Sequence, residues 1–374
     1  MKKILILSSV HHLEDNRIFF KETESLKKIT SNITFAVQYP DSDLTERDGV
    51  KIFPLRIQKS IIKRFFTIHM DIYKLIKKER YDFIHFHDPE LMLLMFYVKK
   101  KFKSKVIFDI HENIAESIKD KYWIPKYLSS TVTFLYSHIE KIFTKKLDTL
   151  IIAETSYRKT YGNDVVEILN YPWIIQKNKN LKKDFSGFLN LVYAGDIMER
   201  KGIWVMIKIY EKLCDSISGL HFDILGRFVP PELEYEVKKY IEDNNLKDKI
   251  TLHGRVSINE VNRILENSHI GFSILEPVAN YIGSLPTKIF DYMNNKVVVI
   301  ASDFPLYKKY VDDHSTGISI NFYGYNNYFD DIVNLLKSPD MMLQMAENGY
   351  TKVQNSWNWE EQEKKLLEIY NNDK

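Results

Sequence analysis

Short runs of β-branched and aromatic residues recur along the chain, and between them apolar positions return at helical spacing. In the first half the pattern predicts strands over residues 3–8, 33–37, 83–86, 106–109 and 149–153, with helices such as 16–29 and 69–78 between them. The rhythm restarts further on, with strands over 189–194, 222–225, 250–252, 270–275, 297–301 and 317–320. Strands alternating with helices build parallel sheets covered on both faces. The stretch 170–188, NYPWIIQKNKNLKKDFSGF, is polar and aperiodic and reads as a linker. The expected fold is therefore α/β, with two Rossmann-like doubly wound domains. Ligand sites in such sheets form at the carboxyl ends of strands, so two domains facing each other would make a central cleft.

Length agrees, since 374 residues exceed one ordinary core. A single cysteine, Cys214, allows no intrachain disulfide and suits a reducing, cytoplasmic compartment. The opening MKKILILSSVHHLEDN passes quickly into charge and reads as a buried strand, not a signal peptide. No run approaches the roughly 20 apolar residues of a membrane span. The net charge of +3 hides an asymmetry: residues 51–105 carry 14 basic and 5 acidic side chains. Basic residues sit there among Phe, Ile and Tyr, in QKSIIKRFF and YVKKKFKSK. Two readings stand: the solvated faces of ordinary helices, or a patch resting on an anionic membrane surface, where each nearby Lys or Arg is worth about 1 kcal/mol. No nucleic-acid-binding motif accompanies the charge, so no nucleic acid is expected as a partner.

Four successive strand ends in the second half carry glycine, a basic residue or both. GDIMERKG offers Gly195 for close approach, with Arg200 and Lys201 as charges for a phosphate. Gly226 and Arg227 follow the next strand, and HGRV, with Arg255 and Val256, the one after. The fourth is YIGSLPTKIFDYM, 281–293. Any one of these could be a simple turn; four in succession point to a phosphate-bearing ligand. In the last, Gly283 and Ser284 leave room for a diphosphate over a helix N-terminus, and Pro286 suits the first helical position. Ile289, Phe290 and Met293 form the buried side. Asp291 could accept from ribose hydroxyls, or be an acid favoured by the helix dipole.

In the first half, FDIHENIAES puts His111 and Glu112 just past a strand end, at the mouth of the expected cleft. HFHDPE, 85–90, holds a His-x-His-Asp, but no third cluster at ligand spacing joins it, so polar groups lining the cleft are the preferred reading and no metal is expected. HHLEDNRIFFKE lacks a G-x-G-x-x-G, which removes a dinucleotide fingerprint.

These segments resemble, in order, those of a GT-B glycosyltransferase of the large retaining class called family 4 or group 1. HHLEDNRIFFKE is similar to the family's first loop and helix, VIFDIHE to its D-x-H-E strand end, and YAGDIMERKG to its phosphate loop. SLPTKIFDYMNNKVVVIASDFP is similar to the donor-binding helix and next strand, and SWNWEEQEKKLLEIY to a terminal helix that crosses back to the first domain. The resemblance implies an acceptor-binding domain over 1–169, a nucleotide-sugar domain over 170–355 and a crossing helix over 356–374.

It also implies roles. Lys201 with Arg200 would neutralise the donor diphosphate. Backbone amides from Ser284 to Thr287, beside Lys288, would hold its distal phosphate. Asp291 would take the ribose, and Arg255 and Val256 would border the base. His111 would lie beside the transferred sugar. His12, Asp15, Arg17, His87 and Glu112 would stand on the acceptor side. The activity implied is retaining transfer from a UDP- or GDP-sugar to a glycan or lipid-linked acceptor, without metal or other cofactor. The many Lys, Asn and Ile residues suggest a bacterial source, hence surface polysaccharide assembly. A cytoplasmic protein is expected, with the basic segment adding peripheral attachment to the inner face of the plasma membrane. Two positions depart from the family pattern. Gly283 stands where an acid commonly faces the sugar, with Glu276 nearby but out of register, and Asp196 stands where many relatives carry Arg. The first departure motivates a rival reading, a catalytically silent GT-B subunit that binds or activates a partner transferase.

Overall fold

The computed structural model describes residues 2–40, 43–57, 61–111, 126–175 and 180–371. The chain forms two compact units: Met1–Asn170 together with Trp359–Lys374, and Tyr171–Asn358. Glu112 lies outside the described residues.

In the first unit eight strands form one sheet: β1 (Ile4–Ser8), β2 (Ile33–Gln38), β3 (Glu46–Arg47), β4 (Val50–Leu55), β5 (Phe83–Phe86), β6 (Lys105–Ile110), β7 (Thr149–Ile152) and β8 (Val166–Glu167). Their order is β3-β4-β2-β1-β5-β6-β7-β8, parallel except for β3 against β4. Strand β4 was not foreseen, because Pro54 argues against a central strand. Pro54 pairs opposite Val37, beyond the two-residue reach of β3, where its missing N–H faces no neighbour.

The helix expected over 16–29 is a π-helical turn, Ile18–Thr23, running into a short α-helix, Glu24–Leu26. Asp15 starts it, its carboxylate accepting the N–H groups of Arg17 and Ile18, each at 2.9 Å. The Glu22 amide donates to the Arg17 carbonyl at 2.9 Å. That five-residue repeat turns both side chains the same way, inward, and both are buried. The terminal helix Trp359–Asn371 packs in this unit, with Trp359 donating to Ser25 Oγ at 2.9 Å and Gln362 accepting from the Leu169 amide at 3.1 Å.

The second unit has strands β9 (Leu189–Ala194), β10 (Leu220–Leu225), β11 (Ile250–Gly254), β12 (Ile270–Ser273), β13 (Val298–Ser302) and β14 (Gly317–Ile320). They lie in the order β11-β10-β9-β12-β13-β14, all parallel, which is the doubly wound dinucleotide-fold order. β12 is shorter than expected: past Ser273 the chain bonds to a side chain, Ser302 Oγ accepting from the Leu275 amide and donating to its carbonyl. The stretch read as a linker is tied to this unit where described. Phe185 is buried, the Trp173 carbonyl accepts from Asn294 at 2.7 Å, and Lys183 donates to Leu265 O at 2.9 Å.

Candidate functional site

In the second unit the strand order reverses between β9 and β12, where a crevice is expected. Pairing of these strands stops at Val192 and Gly271. Tyr292 fills the gap beyond. Its hydroxyl donates to Phe272 O and accepts from the Ala194 N–H, each at 3.1 Å. A Cβ at residue 271 would meet the Tyr292 ring at 2.4 Å, so glycine is needed there. Tyr292 thereby fixes the helix Lys288–Asn294 against the switch point. The sequence reading counted Ile289, Phe290 and Met293 as that helix's buried side and missed Tyr292, whose alternation with them was the available signal.

The β9 loop turns at Gly195, with φ +137°, against Gly226, with φ +146°. A Cβ on Gly226 would sit 1.8 Å from Gly195 O, so the two loops touch through backbone alone. Beside Gly195 lies the Lys288 ammonium, 3.8 Å from the Tyr193 ring centre. Burial, then the charge of Lys201, pushes Lys288 down to about 7, with Asp196 and Asp291 pulling the other way. Gly195, Lys201, Lys288, Asp196 and Asp291 are thus brought together. The charge of Lys201 acts against that of Lys288; a diphosphate between them would offset it and keep Lys288 protonated.

Other expected residues are placed differently. Arg200 is exposed and ion-paired with Glu276 at 3.3 Å, and Glu276 also accepts from Tyr323 at 2.8 Å. Arg200 is therefore held to an acid instead of standing with Lys201. Arg227 pairs with Asp196 at 3.4 Å and so offsets the charge of the acid that follows Gly195. Pro286 is not the first helical residue. The helix begins at Lys288 after the cap Thr287, and the Pro286 carbonyl accepts from Ile289, because the turn before it is still closing. Ser284 spends its amide on the Tyr281 carbonyl at 3.3 Å. Gly283 has φ −91°, so nothing in its backbone demands glycine. Arg255 and Val256 follow edge strand β11, away from the switch point.

In the first unit the order reverses between β1 and β5, and the polar residues gather at those strand ends and at the end of β6. Arg17 donates from Nε and Nη2 to Asp109 Oδ2, at 3.0 and 2.7 Å, and lies 2.9 Å from Glu22 Oε1. Burial alone would raise Asp109, but Arg17 and His111 hold it well below the usual carboxylate range. Burial and the Asp109 charge raise Glu22 well above it, so Glu22 holds a proton beside an ionised partner. His87 shares a 3.1 Å hydrogen bond with His111, which also lies 3.3 Å from Asp109. Burial first, then neighbouring histidines, lower His87, which stays neutral. The His111 side chain is 13% exposed and that of His87 0%, so of these two only His111 reaches the surface.

Arg17 and His87, expected on the acceptor side, are buried: Arg17 donates to Asp109 and to the Ile168 carbonyl, and His87 shares its hydrogen bond with His111. Asp15 caps the π-helical turn, and His12 is exposed beside it. The His-x-His of HFHDPE does have further ligand-capable neighbours, contrary to expectation: Glu22, which was missed, and Asp109 lie far from it in sequence, yet Glu22, His85, His87 and Asp109 turn ligand-capable atoms to within 4.8 Å of one another. The Arg17 guanidinium already supplies a cation to both carboxyls, which suits a proton-sharing network better than a divalent ion.

A parallel sheet in doubly wound order, with glycines and Lys288 at its switch point, defines a Rossmann-like α/β unit. Within it, residues 175–352 match the family described as Glycosyl transferases group 1. Over 267 residues the chain is 22% identical to the uncharacterized glycosyltransferase MJ1059 of Methanocaldococcus jannaschii, covering 67% of this chain and 61% of that protein. The fold is that of sucrose-phosphate synthase from Thermosynechococcus elongatus, with TM-score 0.75, 14% identity and coverage of 99% and 98% of the two chains. It is equally similar to HepE of Anabaena in complex with UDP, with TM-score 0.74, 10% identity and 99% of both chains covered. The two units are Rossmann-like domains of the GT-B kind.

Proposed function

We propose that the protein moves a sugar from a nucleotide-sugar donor, a UDP- or GDP-sugar, to a glycan or lipid-linked acceptor with retention at the anomeric carbon. The observation that carries this reading is the buried Lys288 ammonium beside Gly195 at the β9–β12 switch point, within electrostatic reach of Lys201 and inside the family-matched stretch. When the sugar–phosphate bond breaks, negative charge grows on the departing diphosphate, and two preplaced ammonium groups meet it. They supply the charge that a metal supplies elsewhere, so the transfer is proposed to be metal-independent. Asp291 is proposed for the ribose, and His111, held by His87 and Asp109, for the transferred sugar. The bound UDP of HepE agrees with a nucleoside diphosphate as ligand. Bacterial surface polysaccharide assembly, on the cytoplasmic side of a membrane, is the proposed setting.

The test is calorimetry with UDP and GDP, followed by sugar-nucleotide turnover by the purified chain with a chelator present. Lys201→Ala should weaken the preferred nucleotide at least tenfold, about 1.5–3 kcal/mol for a charged hydrogen bond. Unchanged affinity would sink the donor site. Turnover by the chain alone would reject the silent-subunit reading.

A further inference from the structure

One side of the first unit's sheet is covered by three helices, Ile61–Glu79, Met92–Phe102 and Lys126–Thr144. Ile68, Ile72, Met95 and Val98 of the first two are buried in one core with residues of β1, β5 and β6, and Phe143 of the third packs against it. Each helix returns between parallel strands, so all three end at the amino-terminal edge of the sheet, opposite the edge that carries His87 and His111.

Their outward sides break the usual rule for surface helices. Each carries an exposed apolar pair one turn apart: Phe66 and Met70, Leu93 and Tyr97, Leu135 and Ile139. Phe134, 70% exposed, extends the third. Toward the helix ends the outward residues become lysines: Lys77 and Lys78 on the first, Lys100 and Lys101 on the second, Lys141 on the third. The three helices together hold ten Lys and Arg against three Asp and Glu. Those three acids are all engaged. Asp71 pairs with Arg56 at 2.7 Å, Glu79 with Lys3 at 3.0 Å, and Glu140 is buried and accepts from Tyr136 at 3.0 Å.

We propose that this three-helix face docks on an anionic phospholipid bilayer, its aromatic and aliphatic pairs entering the headgroup boundary and its lysines meeting the lipid phosphates. An apolar surface edged by lysine stems is the arrangement that interfacial helices use. The core of a protein–protein interface is instead depleted of lysine. Among the described residues no helix is long and apolar enough to cross a membrane, so the face lies on the bilayer. The inference is independent of the glycosyltransferase reading. It enlarges the basic segment 51–105 by an apolar helix outside it.

The full chain is sedimented with neutral phosphatidylcholine vesicles and with vesicles containing about 30% phosphatidylglycerol. Binding to the anionic vesicles should be at least tenfold tighter and should weaken with salt. Leu135→Ser/Ile139→Ser should lower it about tenfold through lost apolar contact. Lys77→Gln/Lys78→Gln/Lys100→Gln should lower it roughly a hundredfold. Both variants change exposed residues and should keep the wild-type circular dichroism and nucleotide affinity, which separates this test from that of the donor site. Equal binding to both vesicle types, or variants that bind like wild type, would overturn the proposal. So would light scattering that shows a dimer dissolved by Leu135→Ser/Ile139→Ser, which would assign the face to a second copy.

Discussion

Each unit gathers polar chemistry at the one place where its strand order reverses, yet the two places are finished in opposite ways. At β1–β5 the charges satisfy one another: Arg17 sits against Asp109 and Glu22, and the group is buried under His111. At β9–β12 the gap is closed by a neutral wedge, Tyr292, and a buried ammonium, Lys288, is left within electrostatic reach of Lys201. Topology decides where side chains collect. Whether they cancel internally decides if the result is a scaffold or a binding site.

The largest effect should come from breaking the internal cancellation. Asp109→Ala leaves Arg17 buried without its main partner and should cost about 4 kcal/mol. Urea unfolding followed in the first unit measures it; a loss below about 1 kcal/mol would mean the cluster is not self-paired. Glu22→Gln in the same cluster should cost less than about 1 kcal/mol, because the amide resembles the protonated acid already present. Equal losses for the two carboxyls would contradict their opposite titration.

Next is the backbone contact of the second unit. Gly226→Ala places a Cβ 1.8 Å from Gly195 O at a φ of +146°. It should destabilise that unit by about 2–3 kcal/mol and weaken nucleotide binding with it. Retention of both would show that the loops can separate.

The last test sharpens the contrast most. Lys288, pushed down to about 7, is mostly neutral at higher pH and must take up a proton when an anion binds. Nucleotide affinity should therefore be flat below pH 7 and fall about tenfold between pH 7 and 8.5, with proton uptake seen as buffer-dependent heat in calorimetry. Lys288→Arg, charged throughout, should remove the slope. A pH-independent affinity in the wild type would place the anion elsewhere.

Much of the second unit was legible because its strands are continuous apolar runs ending in Gly-containing loops, as at Ala194-Gly195 and Leu225-Gly226. The first unit was less so. A proline hid β4, and a π-helical turn carries Arg17 and Glu22 at a spacing that no α-helical template tests. The Lys126–Thr144 helix turns Val132, Phe134, Leu135 and Ile139 outward and buries Glu140 and Thr144, so its periodicity marks the wrong side. The Arg17–Asp109 pair spans 92 residues, and such contacts leave no local pattern. Arg200 and Lys201 look equivalent as neighbours in sequence, and only Glu276, brought beside them by the loop after β12, tells them apart.

The Tyr292 hydroxyl spends its proton on one strand and its lone pair on another, and its ring leaves room for nothing larger than glycine opposite. A helix pinned in this way cannot slide or roll without tearing the sheet beneath it. An anion bound at Lys288 would therefore be met from a fixed mount, and selectivity on this side of the protein would come from shape set in advance, not from a cradle that moulds itself to its cargo.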